Sequence, residues 1–276
     1  MFDKLREKVH GGDEKSASFD GNHQQVAPAY GSASSNQAPP PFQTRFASMS
    51  LHSADDLRFL NFPDQVIEEC RTTIRKLYPI QREGMYGNSR EFKLEGYPWV
   101  STSTDGMQAR RLIAALLGTL HRMGWIMTLN TDVSRSKADK DTLLFRHQSP
   151  APAPCDWGCI SFSRSDRMRL IDMSPEVCEK LPARLGQQWV SKVSQYAPGI
   201  QEIKFHGYPW AVSGKATMSV RELLLTMLAM LEEEGWTVYA SIDQDAGGGE
   251  NSSGTDTWHC CRPQGWVRGA PVYHGR

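Results

Sequence analysis

Apolar residues recur along this chain in two rhythms. Leu112, Leu116 and Leu120 follow one another every four residues, as do Leu223, Met227 and Leu231. That spacing predicts helices with one face in a core, from about Met107 to Met123 and from Met218 to Glu234. Phe92 and Leu94 instead alternate with polar neighbours, as do Ile203 and Phe205. A period of two is the mark of a half-buried strand.

The two sets are the same pattern written twice. Gly96 and Gly207 are separated by 111 positions, and Arg58 and Arg169, Gly124 and Gly235, and Asp132 and Asp243 keep that offset. "DDLRFLNFPDQV" lies over "DRMRLIDMSPEV", and "RMGWIMTLNTD" over "EEGWTVYASID". The register slips only after Asp132, where "VSRSKADKDT" becomes the longer "QDAGGGENSSGTDT". A gapless correspondence of this length is a tandem duplication.

Each copy reads as a strand pair around a Ser/Asp turn, then a helix opening at "PDQV" or "SPEV". Ser174 is placed to cap the second of these, with Pro175 in its first turn. The strand "EFKL" or "EIKF" follows, then a Gly-Tyr-Pro-Trp corner, the long helix, and a hairpin returning through "TLLFR" or "TWHCC". Helices interleaved with mostly antiparallel strands give an α+β class. The expected architecture is a repeated unit of about 100 residues, packed about a pseudo-two-fold axis. The unit boundaries fall at 47–154 and 155–276.

Residues 1–46 are different. "GSASSNQAPPPF" typifies a stretch without apolar periodicity, too polar to offset the entropy of ordering it, and the arm is expected to be disordered. Phe2, Leu5 and Val9 stand at helical spacing, so residues 1–9 allow a weak peripheral contact with a membrane. No apolar run approaches the ~18 residues of a transmembrane helix, and no secretory signal core is present. The expected compartment is the cytoplasm, with six cysteines as free thiols or ligands.

Charge narrows the partners. Lys plus Arg total 31 and Asp plus Glu total 31, so no net positive field favours nucleic acid. No P-loop, GxSxG, HExxH or strand-linked GxGxxG motif is present. Slot-by-slot comparison demotes the cysteines: Cys70 answers to Leu181, Cys178 to Ile67 and Cys260 to Phe145, all apolar positions. Cys155, Cys159, His259 and Cys261 are zinc-ligand types without a zinc-knuckle spacing. No metal or cofactor is expected. Asp132, Asp243, Asp141 and Asp256 flank hairpin loops, where aspartate is a turn former.

The candidate ligand site is built on the repeated corner. Gly96 and Gly207 supply the turn, Pro98 and Pro209 end the strand, and Trp99 and Trp210 anchor it. Tyr97, Trp99, Tyr208 and Trp210 beside a helix start would form an aromatic-edged anion site, with Arg110 and Arg221 as its counter-charges. Only copy two has His206 and His259, which with Asp243 could form an asymmetric catalytic set if they converge. The favoured function is a non-catalytic interaction module that binds another protein. The alternative is an enzyme or small-ligand protein with its site between the copies or at a corner. One asymmetry bears on the choice: "LLLTMLAML" is apolar nearly all round, with Leu225 where copy one has Ala114. Such a helix needs a cover, from copy one or from a partner.

Overall fold

A computed structural model describes residues 43–101, 104–131, 139–243 and 256–272. The first nine residues, with their expected membrane contact, and the rest of the expected arm up to residue 42 lie outside these. Residues 43–46 are described, and Phe46, expected in the disordered arm, instead begins the first strand.

Copy one runs β1 (Phe46–His52), β2 (Asp56–Leu60), α1 (Asp64–Leu77), β3 (Ile80–Tyr86), β4 (Ser89–Leu94), α2 (Thr104–Arg122), β5 (Trp125–Thr131) and β6 (Asp139–His147). Copy two repeats the order with β7 (Cys155–Ser163), β8 (Arg167–Ile171), α3 (Pro175–Leu185), β9 (Val190–Ala197), β10 (Ile200–Phe205), α4 (Ala216–Glu233), β11 (Thr237–Ile242) and β12 (Thr257–Pro263). Each copy is one six-stranded antiparallel sheet with two helices. The strand orders β3-β4-β2-β1-β6-β5 and β9-β10-β8-β7-β12-β11 correspond position by position, and the sheets are separate. The class is α+β, and the duplication extends to the pairing of the strands, with a one-residue shift of register in β9 against β10 relative to β3 against β4.

Local chemistry explains the elements. Gly124 and Gly235 end α2 and α4 with φ of +81° each, a conformation that favours glycine. Ser174 occupies the N-cap of α3, with Pro175 directly after it, but its side chain makes no capping hydrogen bond. The strands β3 and β9 have no counterpart in the sequence expectation. "IQREGMY" lies at a sheet edge and is largely exposed, so nothing in it alternates.

One face of each sheet holds its own helix pair. Met49, Leu51, Leu57, Phe59, Phe92, Leu94 and Phe145 meet α1 and α2 in the first core. Ile160, Met168, Leu170, Ile203 and Phe205 meet α3 and α4 in the second. Cys70 and Cys260 are fully buried in these cores, in keeping with their apolar twins.

The relation between the copies departs from the expected two-fold. Helix α2 lies against β7 and β12, so the second sheet sits with its free face on the helices of copy one. Met107 of α2 packs with Cys159, Ile171 and Ile200 of that sheet. In a two-fold arrangement α4 would lie on β1 in the same way. Instead Met218 and Leu225 on α4 are 56% and 65% exposed, and Phe46 on β1 is 57% exposed. The copies are stacked head to tail, with α2 between the two sheets and α4 on the far side of the second, and the sheets converge at their β5 and β11 edges.

Candidate functional site

The seam between the copies is the most differentiated place in the molecule. It depends on a small residue: a Cβ at Gly118 would lie 2.9 Å from the Trp157 ring, so glycine is what lets α2 and β7 approach. His121 and Tyr239 meet Trp157 edge to face, with ring centroids at 5.6 and 5.0 Å. Arg110 is buried here; its Nε donates to Thr257 Oγ1 at 3.0 Å and its Nη1 to the Gly106 carbonyl at 3.0 Å. At the margin Arg111 makes a bidentate pair with Asp172, both distances 2.7 Å. Along the edge strands, the Met127 N–H donates to the Tyr239 hydroxyl at 2.7 Å. Asn130 Nδ2 donates to the Ser241 carbonyl at 2.6 Å, and the Asp243 N–H donates to Asp141 Oδ2 at 2.9 Å.

These contacts relocate several candidates. Arg110 does not serve a Gly-Tyr-Pro-Trp corner; it is sealed between α2 and β12. Arg221, its twin on α4, is exposed and donates to Thr217 Oγ1 at 3.0 Å. Trp99 is a core residue, 1% exposed, whose Nε1 donates to the Asp56 carbonyl at 3.3 Å. Trp210 is half-buried against Phe162 and Phe205, and its Nε1 donates to the Arg167 carbonyl at 2.8 Å. In both copies the tryptophan ties the corner to the turn of the first strand pair, through the backbone bonds Trp99 N–H to Ala54 and Trp210 N–H to Ser165. Tyr97 and Tyr208 are left in solvent at 70% and 66% exposure.

A cavity of about 610 Å³ does open beside the first corner, between Leu77, Tyr78, Tyr97 and Ser101. Its charged lining residues are Glu95 and Asp105, which repel the anion the sequence suggested.

The asymmetric trio does not converge. His259 is on β12, fully buried beneath α2, with neither ring nitrogen hydrogen-bonded. His206 is exposed just beyond β10, three strands away, or about 14 Å at ordinary strand spacing. Asp243 follows β11, one strand further out on the other side. Burial, with a smaller contribution from the Arg110 charge, holds the His259 imidazole down at about 3, so it is neutral at neutral pH.

The thiols divide by environment. Burial pushes Cys70 and Cys159 up to about 12. Cys155 shifts the other way because the Cys261 thiol hydrogen-bonds to it. Among the described residues, no three His, Cys, Asp or Glu side chains are grouped so as to hold a metal ion.

Two further features escaped sequence reasoning. The outer face of the first sheet carries Phe46, Leu60 and Leu129, exposed at 57%, 37% and 53%. Their twins Trp157, Ile171 and Ala240 lie in the seam. On both sheets an Arg–Glu pair marks the same spot: Arg58–Glu91 at 2.8 Å and Arg169–Glu202 at 3.0 Å. Each guanidinium also lies over an edge-strand tyrosine, Tyr86 or Tyr196.

Among curated proteins and among solved structures, none matches the chain. One family model, described only as a domain, matches twice, over residues 45–146 and 156–261. Each match takes in one sheet and its helices, and together they span well over half of the sequence. The chain therefore belongs to this domain family, and carries the domain in two consecutive copies.

Proposed function

We propose that the protein is a non-catalytic interaction module, which binds another protein through the open face of α4. One observation carries this reading. On α2 the face bearing Met107, Arg110, Ala114 and Leu117 is buried under the second sheet. On α4 the equivalent face presents Met218, Arg221 and Leu225 to solvent, although Leu225 is larger and more apolar than the Ala114 it replaces. An apolar helix face of this kind marks a place where association removes hydrocarbon from water. The scatter of His206, Asp243 and His259 over separate strands supports a binding role over a catalytic one.

Leu225→Glu tests the reading. Leu225 is exposed, so the change should alter stability by no more than about 0.5 kcal/mol. The wild-type chain is expected to bind a protein, a like chain included, and the variant to lose that binding. Equal retention of every bound protein by both forms would overturn the reading.

A further inference from the structure

We infer that the protein covering α4 is a second copy of this chain, whose first sheet docks on it as the second sheet docks on α2 within one chain. The inference rests on the reading of α4 as a binding face and names its occupant. Its warrant is the internal seam, which already joins the same two surfaces of the same domain. Stacking head to tail uses a helix face and a sheet face that differ from each other, so each chain retains one of each; the β5 and β11 edges, which bond to each other within the chain, are not repeated. The free helix face is α4; the free sheet face is the outside of β1, β2, β5 and β6.

The residues at the two free faces match as a pair. At the centre of the seam Gly118 faces Trp157. Their twins are Ala229 and Phe46. The helix gains a methyl group where the sheet loses ring volume, so the same approach remains open. The buried hydrogen bond from Arg110 to Thr257 has both partners retained, as Arg221 and Thr142. The cluster of Met107 with Cys159, Ile171 and Ile200 becomes Met218 with Ser48, Leu60 and Ser89, more polar but centred on the same methionine. The Arg111–Asp172 ion pair becomes Glu222 with Asn61, which can donate an amide N–H to the carboxylate.

Charge agrees at the far end. His121 of α2 meets Trp157, whose cross-strand neighbour is Cys261. The twins put Glu232 opposite the end of the sheet that carries Phe46 and Arg146, and both Glu232 and Arg146 are exposed. Leu129, in the slot of Ala240, adds apolar area on the sheet side as Leu225 does on the helix side. The first sheet is more hydrophilic outside than the second, as expected of a contact that opens and closes rather than one fixed within a chain. Since each docked chain exposes the same two faces again, the assembly grows with concentration until the rotation per step closes it into a ring, or without limit if it does not close.

Two measurements on residues 1–276 test this. Sedimentation velocity is expected to show a coefficient that climbs with concentration, and a concentration-independent monomer for Leu225→Glu. Directed cross-linking then fixes the register. Phe46→Cys in one tagged chain and Ala229→Cys in another are expected to form an interchain disulfide when mixed. Ser89→Cys with Ala229→Cys is expected to form none. The seam places the Ser89 slot beside Met107, eleven residues or about 16 Å along the helix from Gly118, too far for a disulfide.

A wild-type chain that stays monomeric throughout would overturn self-docking, as would association unaffected by Leu225→Glu, or equal linking in the two cysteine pairs. If the chain is monomeric but Leu225→Glu still releases a different protein, the occupant is wrong and the binding face stands. If neither effect is found, both readings fall.

Discussion

Replacing Trp99 with alanine should lower the stability of the protein by about 3–5 kcal/mol, the usual cost of emptying a core tryptophan site. The ring is 1% exposed and the indole N–H is spent on the Asp56 carbonyl, which would be left with one partner fewer. Tyr97→Ala, two residues away and 70% exposed, should change stability by no more than about 0.5 kcal/mol. Urea denaturation of the two variants separates two roles for the Gly-Tyr-Pro-Trp corner. A structural corner gives a large loss at Trp99 and almost none at Tyr97. A small loss at Trp99 would show that the tryptophan is not holding the β1–β2 turn to the rest of copy one.

Acidification should destabilise the protein through His259. The imidazole is held at about 3 in the folded chain, against 6.5 for an unperturbed histidine. Between those values the unfolded chain binds a proton that the folded chain refuses. Stability is therefore present above about pH 6.5 and is lost as pH falls towards 3, at up to about 1.4 kcal/mol per pH unit. Asp56 and Asp141 work in the opposite direction, since burial raises both and the folded state takes up their protons first.

His259→Leu isolates the histidine contribution, and leucine is what copy one holds in that slot, at Leu144. At neutral pH the variant should be as stable as the wild type or more so, because two unpaired ring nitrogens leave the seam. Near pH 4 its advantage should have grown by about 3 kcal/mol. Denaturation midpoints at the two pH values give the comparison. Parallel losses in both proteins would show that His259 is hydrated or charged, and the seam open.

Much of this fold could be read from the sequence because the chain comments on itself. Leu181 and Ile67 identify Cys70 and Cys178, respectively, as packing residues without any structure in hand, and Phe145 does so for Cys260. The capping glycines Gly124 and Gly235 announce where two helices stop. By contrast β3 and β9 were invisible, since an edge strand with water on most sides has no apolar face to repeat. The seam was harder still. Arg110 and Arg221 are identical in sequence, yet one is buried and the other in solvent, because only position in the stack distinguishes them. Duplication implies two like units, but it says nothing about whether they face each other or follow each other. The available signal is in the unlike pairs: Gly118 against Ala229 and Ala114 against Leu225 on the helices, and Trp157 against Phe46 on the sheets, mark surfaces where the copies have different neighbours. For the candidate site, the residue types were legible at the corners. The sealing of Arg110 and His259 under α2 required the packing.

The head-to-tail stack is tested most directly by thiol reactivity at twin positions. Ala114→Cys and Leu225→Cys occupy the same slot of α2 and α4, at 6% and 65% exposure in the parent residues. Labelling should be followed at a dilution where the chain sediments as a monomer, counted above the native cysteines. The stack predicts immediate modification at 225 and modification at 114 only as the protein unfolds. Equal rates at the two positions would contradict it.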